Sequence, residues 1–90
     1  MKQTMEIIFS GRVQKVGFRA CVRNAGANLG LCGEVENLSD GRVRVLVTGE
    51  DVIIDKFLAM TYTCPRAIIR DLKCAPYVLT DFTNFSVKRE

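Results

Sequence analysis

The sequence predicts an α+β domain in which two helices cover one face of an antiparallel sheet. Three observations predict it. Alternating apolar runs recur at strand period, residues 5–13 being the first. Two stretches, beginning near Phe18 and near Glu50, change to helical period. A turn, Ser39-Asp40-Gly41, joins two strands directly as a hairpin, because Asp and Gly tolerate the backbone angles a short connection needs. At 90 residues the chain is expected to form one domain over 1–90, long enough for one core of two packed layers.

In chain order, residues 5–13 place Ile7, Phe9, Gly11 and Val13 on one face of a strand and Glu6, Ile8, Ser10 and Arg12 on the other. Phe18 to Asn28 reads as the first helix, with Val22, Ala25 and Leu29 at helical spacing and Gly30 just past the end, where a left-handed cap is usual. Residues 31–37 form a second strand with Leu31, Gly33 and Val35 on the face shared by Asn37. Arg42 to Thr48 form the third, with Val43, Val45 and Val47 inward, and Gly49 is expected to break it. Glu50 and Asp51 suit the positive start of a second helix, which carries Ile54, Phe57, Leu58 and Thr61 and runs to about Tyr62. Cys64-Pro65 ends it. A fourth strand over 67–74 slips its alternation near Asp71, which predicts a bulge, and Pro76 is expected to separate it from a short final strand, Asn84 to Arg89. The order β-α-β-β-α-β plus a short final strand is the ferredoxin-like split βαβ arrangement with right-handed crossovers. That fold hosts many unrelated functions, so function is argued from a site.

Composition narrows the chemistry. No apolar run approaches the roughly 20 residues needed to cross a bilayer, and Met1 to Glu6 lack the apolar stretch of a signal peptide, so the expectation is a cytoplasmic protein without a membrane partner. The four cysteines, Cys21, Cys32, Cys64 and Cys74, show no metal-like spacing and are expected to be reduced and partly buried. The chain has no His, which removes the commonest general base, the commonest metal ligand and every Ser-His or Cys-His nucleophile. An enzyme built from it must use Arg, Asn, Gln, backbone amides and carboxylates. The net charge of +3 is mild, but Arg12, Lys15, Arg19 and Arg23 follow one another with no Asp or Glu between them, which would attract a small anion.

These cations surround the stretch where the first strand gives way to the first helix. A helix start presents unpaired backbone N–H groups, and Arg19 adds a planar charged fork matched to two phosphate oxygens. The plainer reading is a tight strand-to-helix connection with an ordinary surface Arg. Asn37 bears on the choice. A helix of about a dozen residues rises about 18 Å, and a strand of six or seven residues at about 3.3 Å each covers a little more. The second strand therefore returns Asn37 to Arg19 and the Gln14-to-Phe18 loop. Seen alone, Asn37 is a turn residue near Asp40-Gly41.

Gly11-Arg12-Val13-Gln14-Lys15-Val16-Gly17-Phe18-Arg19 resembles the acylphosphatase signature G-x-V-Q-G-V-x-F-R. Leu29 to Asn37, followed by Asp40-Gly41-Arg42-Val43, is similar to the family's second signature, L-G-L-x-G-x-V-x-N and then D-G-x-V. The resemblance continues through Cys64-Pro65, Ala67, Ile69 and Leu72 to Phe85-Ser86-Val87. It implies hydrolysis of small acyl phosphates to carboxylate and inorganic phosphate, without metal or other cofactor, the phosphate being product or competitive ligand. It also implies that Arg19 binds the phosphoryl group with the amides of Gln14, Lys15, Val16, Gly17 and Phe18, while Asn37 positions the attacking water. No covalent phosphoenzyme is expected. Two positions depart from the family pattern. Lys15 stands where Gly is most frequent, and if that position needs φ > 0 a Cβ costs roughly 1 to 2 kcal/mol there. Glu34 stands where an aromatic is frequent.

Cys64 to Arg70 satisfies the C-x5-R spacing of thiolate phosphatases, but Ala67-Ile68-Ile69 reads as strand and lacks the small residues such a loop needs. Glu34 and Glu36 lie on the outer sheet face, as a solvated pair would. Nucleic acid is not expected as a partner, since the central strands offer only Phe9, on the helix side, where RNA-binding sheets carry exposed aromatics. The alternative function is an anion-binding or regulatory module of acylphosphatase ancestry that Lys15 has deprived of turnover. A monomer is the default.

Overall fold

The computed structural model describes residues 1–88. Seven elements follow one another: β1 (Lys2–Arg12), α1 (Phe18–Asn28), β2 (Cys32–Asn37), β3 (Val43–Glu50), α2 (Asp51–Thr61), β4 (Ile68–Tyr77) and β5 (Phe85–Val87). They build one sheet in the order β4-β1-β3-β2-β5. β1 pairs antiparallel with β3 and β4, and β2 pairs antiparallel with β3. The fifth strand departs from the expected antiparallel sheet: β5 runs parallel to β2, with Val35 opposite Val87, so the sheet is mixed. Arg89, assigned to this strand from sequence, lies outside the described residues.

Alternation sorts the sheet into two faces. Ile7, Phe9, Val35, Val43, Val45 and Val47 are fully buried under the helices, where they meet Phe18 and Val22 of α1 and Ile54 and Phe57 of α2. Phe18 stands edge-on to Phe9, ring centroids 5.1 Å apart. The opposite face carries charges in alternating sign. Arg44 donates to Glu6 at 2.7 Å and lies 3.5 Å from Glu36, and the Lys88 ammonium reaches Glu36 and Glu34 at 3.3 and 3.7 Å. Glu34 and Glu36 are therefore ion-paired across the outer face, which explains why an acidic residue fits position 34.

Strand limits shift where pairing overrides local signals. β3 continues through Gly49 to Glu50 because Gln3 and Lys2 of β1 extend to pair with them. β4 continues through Pro76, opposite Met5; it is the edge strand, where the missing N–H is tolerated. The bulge expected near Asp71 is present. Ser10 faces Asp71 and Gly11 faces Ile69, leaving Arg70 unopposed. Gly11 has φ 125 there, and a Cβ on it would meet the Arg70 nitrogen at 2.8 Å, so only glycine fits.

The cysteines correct a sequence expectation. Cys21 of α1 and Cys64, beyond the end of α2, form a disulfide with Cα atoms 6.0 Å apart, while Cys32 and Cys74 are free. Neither partner's local sequence announces the pair, since 43 residues separate them and only the packing of α1 beside α2 brings them together.

Candidate functional site

Strand β1 ends at Arg12 and helix α1 begins at Phe18, and the loop between them shapes one end of the molecule. Gly17 is the residue before the helix, with φ 75 and ψ 15, and no side chain caps the helix start. The first backbone bond of the helix is Cys21 N–H to the Gly17 carbonyl at 3.1 Å. Among the described residues the N–H groups of Lys15 to Ala20 donate to no other protein group. A cluster of oriented donors with no acidic residue in the first turn is the arrangement that receives an anion.

Two side chains hold this loop in place. The Gln14 amide donates to both the Leu38 and Arg42 carbonyls, each at 2.9 Å, and so ties the loop to the base of the β2–β3 hairpin. Val16 is turned into the core. Lys15 adopts φ 62 and is exposed, so a lysine takes up the left-handed conformation that the sequence suggested would favour glycine. The hairpin itself is locked at Asp40. Hydrogen bonds to its carboxylate from the Arg42 backbone N–H, at 3.1 Å, and guanidinium, at 2.8 Å, hold that carboxyl below its ordinary value of 3.8.

A cavity of about 410 Å³ opens beside the loop. Lys15, Gly17, Phe18 and Arg19 line one side, with Ala20 and Arg23 continuing along α1. Asn37, at the end of β2, lines it from the sheet, so the return of this residue to the loop, expected from element lengths, is realised. Its Oδ1 is buried and has no hydrogen-bond partner among the described residues. An orphaned buried acceptor costs about 1–3 kcal/mol, which a water or ligand donating to it would recover. Gln14 and Val16 do not line the cavity; their side chains brace the loop.

Other contributors escaped the sequence reading. Val87 closes the cavity from β5, and the Lys88 carbonyl accepts a hydrogen bond from Arg19 at 3.3 Å. They arrive through the parallel pairing of β5 with β2, which no local pattern signals. Arg66, at φ 67, brings its guanidinium near Gly17: a Cβ placed on that glycine would lie 3.8 Å from Arg66 Nη2. No group of three or more His, Cys, Asp or Glu residues suited to a metal occurs among the described residues. Among the described residues no helix is long and apolar enough to cross a membrane.

Comparison with known proteins identifies the family and the fold. Residues 5–87 match the family model described as Acylphosphatase. The chain is 39% identical to the acylphosphatase of Archaeoglobus fulgidus over 92% of its own length and 94% of the relative's. It is 37% identical to that of Methanocella arvoryzae, over 96% and 99% respectively. Among solved structures, that of the acylphosphatase from Bacillus subtilis superposes with a TM-score of 0.92 at 31% identity, covering 99% of this chain and all of the other.

Proposed function

The chain belongs to the acylphosphatase family, and from that premise we propose that it hydrolyses the carboxyl–phosphate bond of small acyl phosphates, with Arg19 and the loop amides holding the phosphoryl group and Asn37 orienting the water. The observation that carries this reading is that Asn37, whose buried Oδ1 has no partner among the described residues, lines the same cavity as Arg19.

The chemistry follows from the groups available. The phosphoryl oxygens accept hydrogen bonds from the open N–H groups of the loop and from the Arg19 guanidinium, whose charge opposes the negative charge on the transferring group. The bond of Arg19 to the Lys88 carbonyl restrains its fork before substrate binds. A water donates one O–H to Asn37 Oδ1 and presents its lone pair to phosphorus, opposite the leaving carboxylate. A carboxamide is too weak a base to take the proton, so a phosphoryl oxygen of the substrate receives it. The P–O bond to the acyl group breaks with both electrons going to the carboxylate, and the products are carboxylate and inorganic phosphate. No side chain forms a covalent intermediate, and the reading asks for no metal.

The test is hydrolysis of benzoyl phosphate by the purified protein with chelator present, beside Lys15→Gly. Because Lys15 already adopts φ 62, the unmodified protein is expected to turn over and Lys15→Gly to differ by no more than a few-fold. A silent unmodified protein with an active Lys15→Gly would instead make this a phosphate-binding module of the same ancestry.

A further inference from the structure

The cavity holds more volume and more positive charge than one phosphoryl group requires. At about 410 Å³ it falls in the range of sites that enclose a whole small molecule. Arg19 and the loop amides suffice for the phosphoryl group in the reading above, yet Lys15 and Arg23 line the same space and, among the described residues, no carboxylate does. Helix α1 contains no Asp or Glu. Among the described residues neither Lys15 nor Arg23 has an ion-pair partner. Among the described residues the Arg23 guanidinium donates only to the neutral amide oxygen of its neighbour Asn24, at 2.8 Å, a bond easily exchanged for one to an anion.

Arg23 is exposed, and its position sets it at the cavity. It follows Arg19 by one helical turn, about 6 Å along the axis, on the same side of α1. Ala20, whose methyl group is the smallest side chain available in a helix wall, lies beside the path between them. Asn37 lines the cavity from the sheet. In-line displacement sets the leaving group opposite the water, hence away from Asn37, and Ala20 and Arg23 continue the cavity lining along α1.

We infer that Arg23 is a specificity residue that receives a second anionic group, a carboxylate borne a few bonds beyond the acyl carbon, so that the chain favours acyl phosphates of dicarboxylic acids over those of monocarboxylic acids. The inference rests on the hydrolase reading for its substrate class. The distance between the two arginines suits a short spacer, because a carboxylate directly on the acyl carbon would stay at Arg19.

Succinyl phosphate and butyryl phosphate test this, since they differ by a terminal carboxylate in place of a methyl group. The expected KM for succinyl phosphate is about fivefold lower, as an exposed charge pair supplies. In Arg23→Gln the ratio of the two KM values is expected to fall to about one, and Arg23→Lys to retain part of the preference. Equal KM values in the unmodified protein, or a preference that survives Arg23→Gln, would overturn the inference. A ratio is insensitive to partial loss of folded protein. Binding supplies the second arm: ω-phosphonovalerate is expected to bind more tightly than pentylphosphonate to the unmodified protein and equally to Arg23→Gln. Differential binding without turnover of either acyl phosphate would overturn the hydrolase reading and uphold the subsite. Turnover of both without differential binding would do the reverse.

Discussion

Two buried polar clusters lie toward opposite ends of β3, and they are finished differently. Near one end, Thr4 and Thr48 share a hydroxyl–hydroxyl bond of 2.6 Å, Thr48 donates to the Thr80 carbonyl at 2.8 Å, and the Thr80 N–H donates to Thr4 at 2.9 Å. Both hydroxyls are satisfied, and the cluster pins the chain as it passes from β4 toward β5. At the other end Asn37, opposite Val43, keeps a buried oxygen without a partner beside a row of open backbone donors. The same fold that closes every bond in one place leaves several unmade in the other. The difference marks where the described protein groups satisfy one another's hydrogen bonds and where they do not.

Substitutions can break that contrast. The largest effect is expected at Arg19. Arg19→Ala removes a guanidinium that lines the cavity, and its turnover of benzoyl phosphate is expected to drop about 10³-fold. Protection of the fold by inorganic phosphate, read as a thermal shift, is expected to vanish with it. Asn37→Ala sharpens the comparison further. It is expected to lower turnover about 10²-fold while sparing phosphate protection, and to leave stability within about 1 kcal/mol, because the oxygen removed makes no bond in the free protein. Equal loss of phosphate protection in both variants would abolish the proposed division of roles. The smallest effect belongs to the closed cluster. Thr48→Val breaks two bonds and orphans the Thr80 carbonyl, so chemical denaturation is expected to show about 2 kcal/mol of lost stability, with turnover unchanged per folded molecule.

Much of the site was legible because its parts are local. The left-handed Gly30, the helix it follows and the alternation that ends at Asn37 are each set by a few neighbouring residues. The meeting of Asn37 with the loop followed from element lengths and the antiparallel return. What stayed hidden depends on partners distant in sequence. Gln14 stood within the quoted signature, yet its work as a strut to Leu38 and Arg42 shows only when the hairpin lies beside it. Arg66 reaches Gly17 after two intervening helices and a hairpin, and its own segment reads as an ordinary end to α2.

By itself the sequence determined the order of elements, which faces are apolar, the hairpin at Asp40-Gly41, the bulge beside Asp71 and a cationic loop at the start of the first helix. These rest on side-chain period, turn geometry and charge, all properties of short segments. Only the tertiary structure decided that β5 lies parallel to β2 and so brings Val87 and the Lys88 carbonyl to Arg19. It alone joined Cys21 to Cys64, carried β3 through Gly49 and kept Pro76 within an edge strand. The physical reason is common to these. Each is decided by a pairing between residues far apart in the chain, where burial and hydrogen bonding outweigh the modest local preferences of a glycine, a proline or a lone cysteine.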